Sequence, residues 1–295
     1  MFNTHKKLKI TALIVLLLVA LFVLQDIFLA PPDKKFFFHS KSQAILSSQS
    51  NAQTQAAQKD QIVNPQSTDI FITSNFVDLS QIQSIAKFRS CHGHDVFSTD
   101  FNGDSEPLSA MKMYFRPIDS LQGTNNKVKV FAPFDGEIVQ VDPTDTSRGR
   151  HYVIRREPFN GWYMTIFHQT FSDADLHVGT RVKAGQFLSY ATTNDIGHDF
   201  DIALQRFTNE NAQYNGVPSN YNYQTAILRN LEPIFPHMTE GVLAQWEARG
   251  VALADDTIVS KAYREANPCT CQGEPPGTTD CNFDNPNPDK ITLKQ

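Results

Sequence analysis

KVKVFAPFDGEIVQVD, residues 127–142, reads as two β-runs around a tight turn. Val128 and Val130 alternate with Lys127 and Lys129, the period-two pattern of a strand with one buried face. The turn signal is FDG, residues 134–136. Working outward, RHYVIRR (150–156), GWYMTIFHQ (161–169), GQFLSYA (185–191) and HDFDIALQ (198–205) continue the series. TDTSRG, PFNG and VKAG punctuate them as turns. Short strands at close spacing, with no long amphipathic helix between them, predict a mainly β fold: a barrel-sandwich-like antiparallel domain over residues 69–214.

Beyond this block the pattern changes. TEGVLAQWEARG (239–250) opens on a threonine and closes on a glycine, and ADDTIVSKAYREA (254–266) is followed by Asn267-Pro268. Both read as helices, giving a small helical appendage over 215–267, with the acidic ADD at a helix N-terminus. Residues 268–295 form a Pro- and Gly-rich tail carrying Cys269, Cys271 and Cys281.

At the other end, ITALIVLLLVALFVL (10–24) follows Lys6, Lys7 and Lys9. A helix over 10–30 matches the roughly 20 residues that cross a bilayer. The basic cluster keeps residues 1–9 cytoplasmic. A cleavable signal peptide is the rival; Phe28 and Pro31 flank its best cleavage point poorly, which favours an uncleaved signal anchor. Either way the body is expected outside the cytoplasm, in the periplasm or at the cell surface. Residues 31–68, rich in Ser, Gln, Ala and Asn, read as a flexible linker. In that compartment disulfides are the default use of the tail cysteines, with Cys91 a possible partner and the connectivity open. The chain of 295 residues carries a net charge of −5, so no electrostatic footprint for nucleic acid is present.

SCHGHDVFSTD (90–100) collects two histidines, a cysteine and two aspartates in eleven residues. Its meaning depends on the surrounding frame. VFAPFDGEIVQV, GWYMTIFHQ, LHVGTRVKAGQFLSYA and GHDFDIAL occur in the order, and with the glycine spacing, of the lysostaphin-like zinc endopeptidases of bacterial cell walls. Residues 88–205 thus resemble that family and its duplicated hybrid motif β-domain.

The resemblance implies a zinc held by the His and Asp of H-x-x-x-D and the second His of H-x-H. The first His of H-x-H and the histidine ending the middle strand would handle the attacking water. Three protein ligands and one open position are what such zinc chemistry needs. On CHGHD, Asp95 falls on the ligand aspartate and Cys91 replaces the ligand histidine. His94 is a substitute; in an extended segment His92 and His94 project opposite Cys91. His168 matches the middle-strand histidine. In the last strand, one register gives His198 the first H-x-H place and Phe200 the ligand place; the other gives Asp199 the ligand place and Gly197 that of the catalytic histidine. Neither keeps both groups. About thirty residues, including FNGDSEPLSAMKMYFRPID (101–119), also separate Asp95 from the hairpin.

Two readings follow. In the preferred one the site is a relic. The protein is then a membrane-anchored, non-catalytic domain with no cofactor, binding cell-wall peptidoglycan or an envelope partner protein. In the alternative, Cys91, Asp95 and Asp199 hold zinc, with His168 and His198 as catalytic candidates, in an active endopeptidase of cell-wall cross-links. A scaffold recruiting partners through the helical tail is a third class. Three smaller signals are weighed beside these. AMKM (110–113) matches the biotinylated tetrapeptide of carrier domains, but the half-domain symmetry around Lys112 is missing; Met111 and Met113 read as packing residues. Asp199 and Asp201 alternate with Phe200 and Ile202 as the wet face of a half-buried strand would. Arg148, Arg150, Arg155 and Arg156 make a loose basic patch.

Overall fold

The structure, a computed structural model, describes residues 65–94, 98–142, 149–194, 198–207, 230–269, 280–281 and 289–295. Of 280–281 only the backbone is described. The expected span at 10–30, most of the linker and Asp95 lie outside these residues. Among the described residues no helix is long and apolar enough to cross a membrane. The chain divides into two units, 1–61 and 62–295, and everything below concerns the second.

In chain order the strands are β1 (Ile82–Ala86), β2 (Gly93–His94), β3 (Met113–Pro117), β4 (Val128–Phe131), β5 (Gly136–Val141), β6 (Arg150–Arg156) and β7 (Trp162–Thr170). Then come β8 (Arg181–Val182), β9 (Phe187–Ala191), β10 (Phe200–Arg206), β11 (Leu231–Glu232), β12 (Asp280–Cys281) and β13 (Lys290–Thr292). Two helices, α1 (Glu240–Ala248) and α2 (Lys261–Ala266), fall between β11 and β12. The main sheet runs β13-β1-β3-β10-β7-β6-β5-β8, with β11 on β10 and the β4–β9 pair joined through β7; its strand pairs are antiparallel. The fold is mainly antiparallel β, as the turn spacing predicts.

The central strands do not read as alternating because both their faces are covered. On one face Met113, Phe115, Met164, Ile166, Phe200, Ile202 and Leu204 join the main apolar core. Helix α1 closes that core with Val242 and Trp246, spaced four apart on one helical face. The Trp246 ring meets Phe235 at 5.0 Å, Phe76 at 5.9 Å and Phe115 at 6.3 Å. The helical segment is thus packed on the β-domain and completes its core. The expected helix over 254–266 is split: a 3₁₀ turn, Ala254–Thr257, precedes α2, which Ser260 caps by accepting from the Tyr263 amide.

The opposite face of the same strands is buried but polar. Lys112, Thr165, Asp199, Asp201 and Gln205 are all under a tenth exposed. β3 reaches this sheet at the end of the long stretch that separates the 90–100 cluster from the hairpin. That stretch docks through two hydrogen bonds from Arg89 to Glu106 and a bridge between Ser90 and Ala110. β3 then slots between β1 and β10.

The described tail residues also join the body. β13 pairs with β1, and Cys91 is disulfide-bonded to Cys269. Buried Arg264 on α2 ties these together. It donates to the Arg89 carbonyl and to Cys91 Sγ and is ion-paired with Asp289, whose carboxylate accepts from the Cys91 amide.

Candidate functional site

Antiparallel register builds the polar face. Asp201 lies opposite Tyr114 and Phe200 opposite Phe115, so Lys112, just before β3, and Tyr114 and Arg116 within it share a face with Asp199, just before β10, and Asp201 within it. Complementary charges along the two strands meet as two neighbouring clusters.

In the first, the Lys112 ammonium is ion-paired with Asp201, and neither side chain is more than 1% exposed. Lys112 Nζ stands over the Phe167 ring at 4.6 Å from its centroid and over Tyr114 at 5.3 Å. Such placement adds cation–π attraction in a desolvated setting. His168 Nε2 lies 3.0 Å from the other Asp201 oxygen. Burial raises the Asp201 pKa, but Lys112 and His168 outweigh it and hold the carboxyl well below the usual carboxylate range. His168 has φ 58, in the left-handed region. This local kink near the end of β7 aims the imidazole at Asp201. His151 packs against Phe167 with its Nδ1 3.2 Å from Asp142. Burial lowers its pKa; Asp142 and Asp201 oppose that, while His168 and Lys112 reinforce it.

In the second cluster Asp199 is held on both oxygens. Oδ1 accepts from Arg116 Nε at 2.8 Å, and Oδ2 lies 2.8 Å from His92 Nε2. The His92 ring, 1% exposed, meets Tyr114 edge-on at 5.9 Å. Tyr114 Oη accepts from the His94 amide. Gly93, φ +100, makes this approach possible: a Cβ there would fall 2.2 Å from the Tyr114 ring.

The structure places the sequence candidates as follows. Cys91 is locked in the bridge to Cys269 and presents no thiolate to a metal. Asp199 is buried and engaged on both oxygens, by Arg116 and His92. Asp199 and Asp201 are not a wet strand face; they are 8% and 0% exposed. His198 Nδ1 donates to the Thr193 carbonyl, which can only accept, so Nδ1 carries the proton. No described contact joins His198 to either groove carboxylate. His168 does reach the first cluster, 3.0 Å from Asp201. His94 contributes its amide to Tyr114 and its backbone to the β2–β12 pair. Asp95 and Arg148 lie outside the described residues. Lys112 is fully buried, and a biotin-bearing lysine must be exposed. Arg150 and Arg155 are engaged by Asp173 and Glu137, and Arg156 lies over the Phe71 ring.

A zinc site fits these residues badly. A divalent ion needs carboxylate oxygens, neutral imidazoles or thiolates that converge on it with free lone pairs. Here both groove carboxylates already neutralise protein cations, and the one described candidate sulfur is oxidised. Among the described residues no group of three or more His, Cys, Asp or Glu is arranged to hold a metal ion.

No family model matches the chain. No curated protein matches it by sequence either. Solved structures do. A zinc-containing peptidase from Vibrio cholerae is 17% identical, with 46% of this chain and 37% of that one covered, at TM-score 0.32. The catalytic domain of the antimicrobial peptidase lysostaphin from Staphylococcus simulans is 19% identical over 41% of this chain and 84% of that one, at TM-score 0.27. A chain of the SpoIIQ–SpoIIIAH pore-forming complex is 15% identical over 47% and 85%, at TM-score 0.32. Likenesses at such TM-scores carry no inference about activity.

Sequence reasoning missed Lys112, Tyr114, Arg116, Asp201 and His92 as the centre of the site. One signal was available. K-x-Y-x-R at 112–116 and D-x-D at 199–201 are complementary charges at period two, the mark of two strands that meet on one face.

Proposed function

We propose that this chain is a membrane-anchored, extracytoplasmic protein whose β-domain is a degenerate lysostaphin-like peptidase domain. It does not hydrolyse peptides, and its groove binds cell-wall peptidoglycan or an envelope partner protein. The observation that supports this most is the buried Lys112–Asp201 pair with His168 on its second oxygen. In the family the chain resembles, a metal supplies the positive charge of the groove. Here a protein ammonium balances the buried Asp201 carboxylate, and an ammonium cannot bind and polarise a water as a metal does. His168 then serves the ion pair and not a metal-bound nucleophile.

The compartment follows from the basic cluster and apolar run at the N-terminus, and the Cys91–Cys269 bridge suits an oxidising environment. Partly exposed His168 and His151, beside polar side chains fixed by their neighbours, are the groups that support a binding role at this face. The experiment is co-sedimentation of the purified full chain with insoluble peptidoglycan. Binding is expected to weaken on His168→Ala and to leave the muropeptide profile unchanged. Released cross-link peptides would sink the reading. So would the absence of binding both to peptidoglycan and to any envelope protein in crosslinking from intact cells.

A further inference from the structure

Away from the groove, a cleft of about 500 Å³ opens between the segment 73–80, the β4 end, Gly185 and helix α1. Its polar wall comes from Ser74, Asn75, Asp78, Ser80 and Gln245. Its floor is apolar, from Val77, Val242 and Phe131. The polar groups are ordered before any ligand arrives. Asn75 Nδ2 donates to Gln245 Oε1 at 2.8 Å, and Gln245 Nε2 donates to the Gly241 carbonyl. Asp78, the ionisable group of the lining, accepts from the Ser80 amide and hydroxyl through Oδ1. The wall is thus a set of nearly neutral donors and acceptors with no cation to meet an anion.

An aromatic strip leads out of this cleft. Phe131 lines it, Phe187 lies 6.0 Å from Phe131, and Tyr190 lies 4.9 Å from Phe187. The register of β4 on β9, with Phe131 opposite Phe187, brings these rings together. Phe187 is 45% exposed, and the three rings meet edge-on, at 75° for Phe131–Phe187 and 61° for Phe187–Tyr190. The exposed Phe187 ring beside fixed hydrogen-bonding groups suits a sugar ring, with its C–H face on the aromatic and its hydroxyl rim on the amides and hydroxyls. A lipid would leave the polar wall unsatisfied, and a strongly charged peptide finds no partner charge except Asp78.

We infer that this cleft and its aromatic strip form a binding site for an uncharged saccharide chain. The inference stands apart from the groove and does not rest on the function proposed for it. The test is calorimetric titration of the purified full chain with two probes, a neutral hexamer of N-acetylglucosamine and maltohexaose. At least one is expected to bind. Phe187→Ala, an exposed position that leaves the core alone, should weaken binding roughly three- to tenfold, the loss of one stacked ring face. Gln245→Ala should weaken it by a similar factor. No heat with either sugar overturns the inference, as does unchanged affinity in both variants. If His168→Ala lowers saccharide affinity while Phe187→Ala does not, the sugar sits in the groove and the cleft assignment is wrong.

Discussion

Replacing Lys112 by methionine tests the groove at its most sensitive point. Methionine keeps the length of the side chain and removes its charge, so Asp201 is left buried with His168 as its nearest partner. Removing one member of a buried ion pair costs about 3–5 kcal/mol, because the surviving charge loses its compensation. For a body of this size about 1 kcal/mol moves Tm by roughly 2–4 °C, so the loss should be roughly 6–20 °C. The penalty has a pH signature. In the wild-type chain the Asp201 pKa is depressed, so its contribution is complete above the unfolded value near ~4 and is lost as pH falls below it. Without Lys112, burial dominates and raises that pKa. The variant's deficit should therefore shrink as the pH is lowered and Asp201 accepts a proton. Adding Asp201→Leu should recover a large part of the loss. Urea unfolding of the four chains of this cycle at neutral and acid pH measures it. A Lys112→Met cost below about 1 kcal/mol, or single and double changes that add within about 0.5 kcal/mol, would refute the charge balance argued here.

Other outcomes follow from the same contacts. Trp246→Ala, which empties the ring cluster under α1, should cost about 3–5 kcal/mol in urea unfolding. Cys269→Ser should destabilise the body by about 2–5 kcal/mol through loss of its long-range bridge, read as a Tm drop that reductant reproduces in the wild-type chain. His237, buried with Nδ1 donating to the Asp69 carbonyl, is pulled down to about 4 by burial. Its unfolded form takes up a proton first, so stability should fall by about 3 kcal/mol between roughly pH 6.5 and 4. His237→Phe should flatten that part of the stability profile, and an unflattened curve would contradict the assignment.

The strands from Val128 to Arg206 were legible because turns of Gly, Asp and Pro bound short apolar runs. β1 and β3 were not, since MYFRP is buried on both faces and shows no alternation. β13 was hidden for another reason: its three residues pair with β1, more than two hundred positions away. The same physics governed the site. His168 was legible because it ends a recognisable strand. Lys112 looked like a decoy because its role depends on β3 being wedged between β1 and β10. His92 and Asp199 are more than a hundred residues apart and meet only through the glycine-permitted turn at Gly93 and the bridge that holds Cys91.

The most direct measurement is the zinc content of the full chain after gel filtration in zinc-supplemented buffer, paired with a muropeptide release assay. With Lys112 and His168 paired to Asp201, and Arg116 and His92 to Asp199, zinc should stay far below one ion per chain and no cross-link peptide should appear. A stoichiometric ion retained by the wild-type chain, with release that a chelator abolishes, would contradict the account.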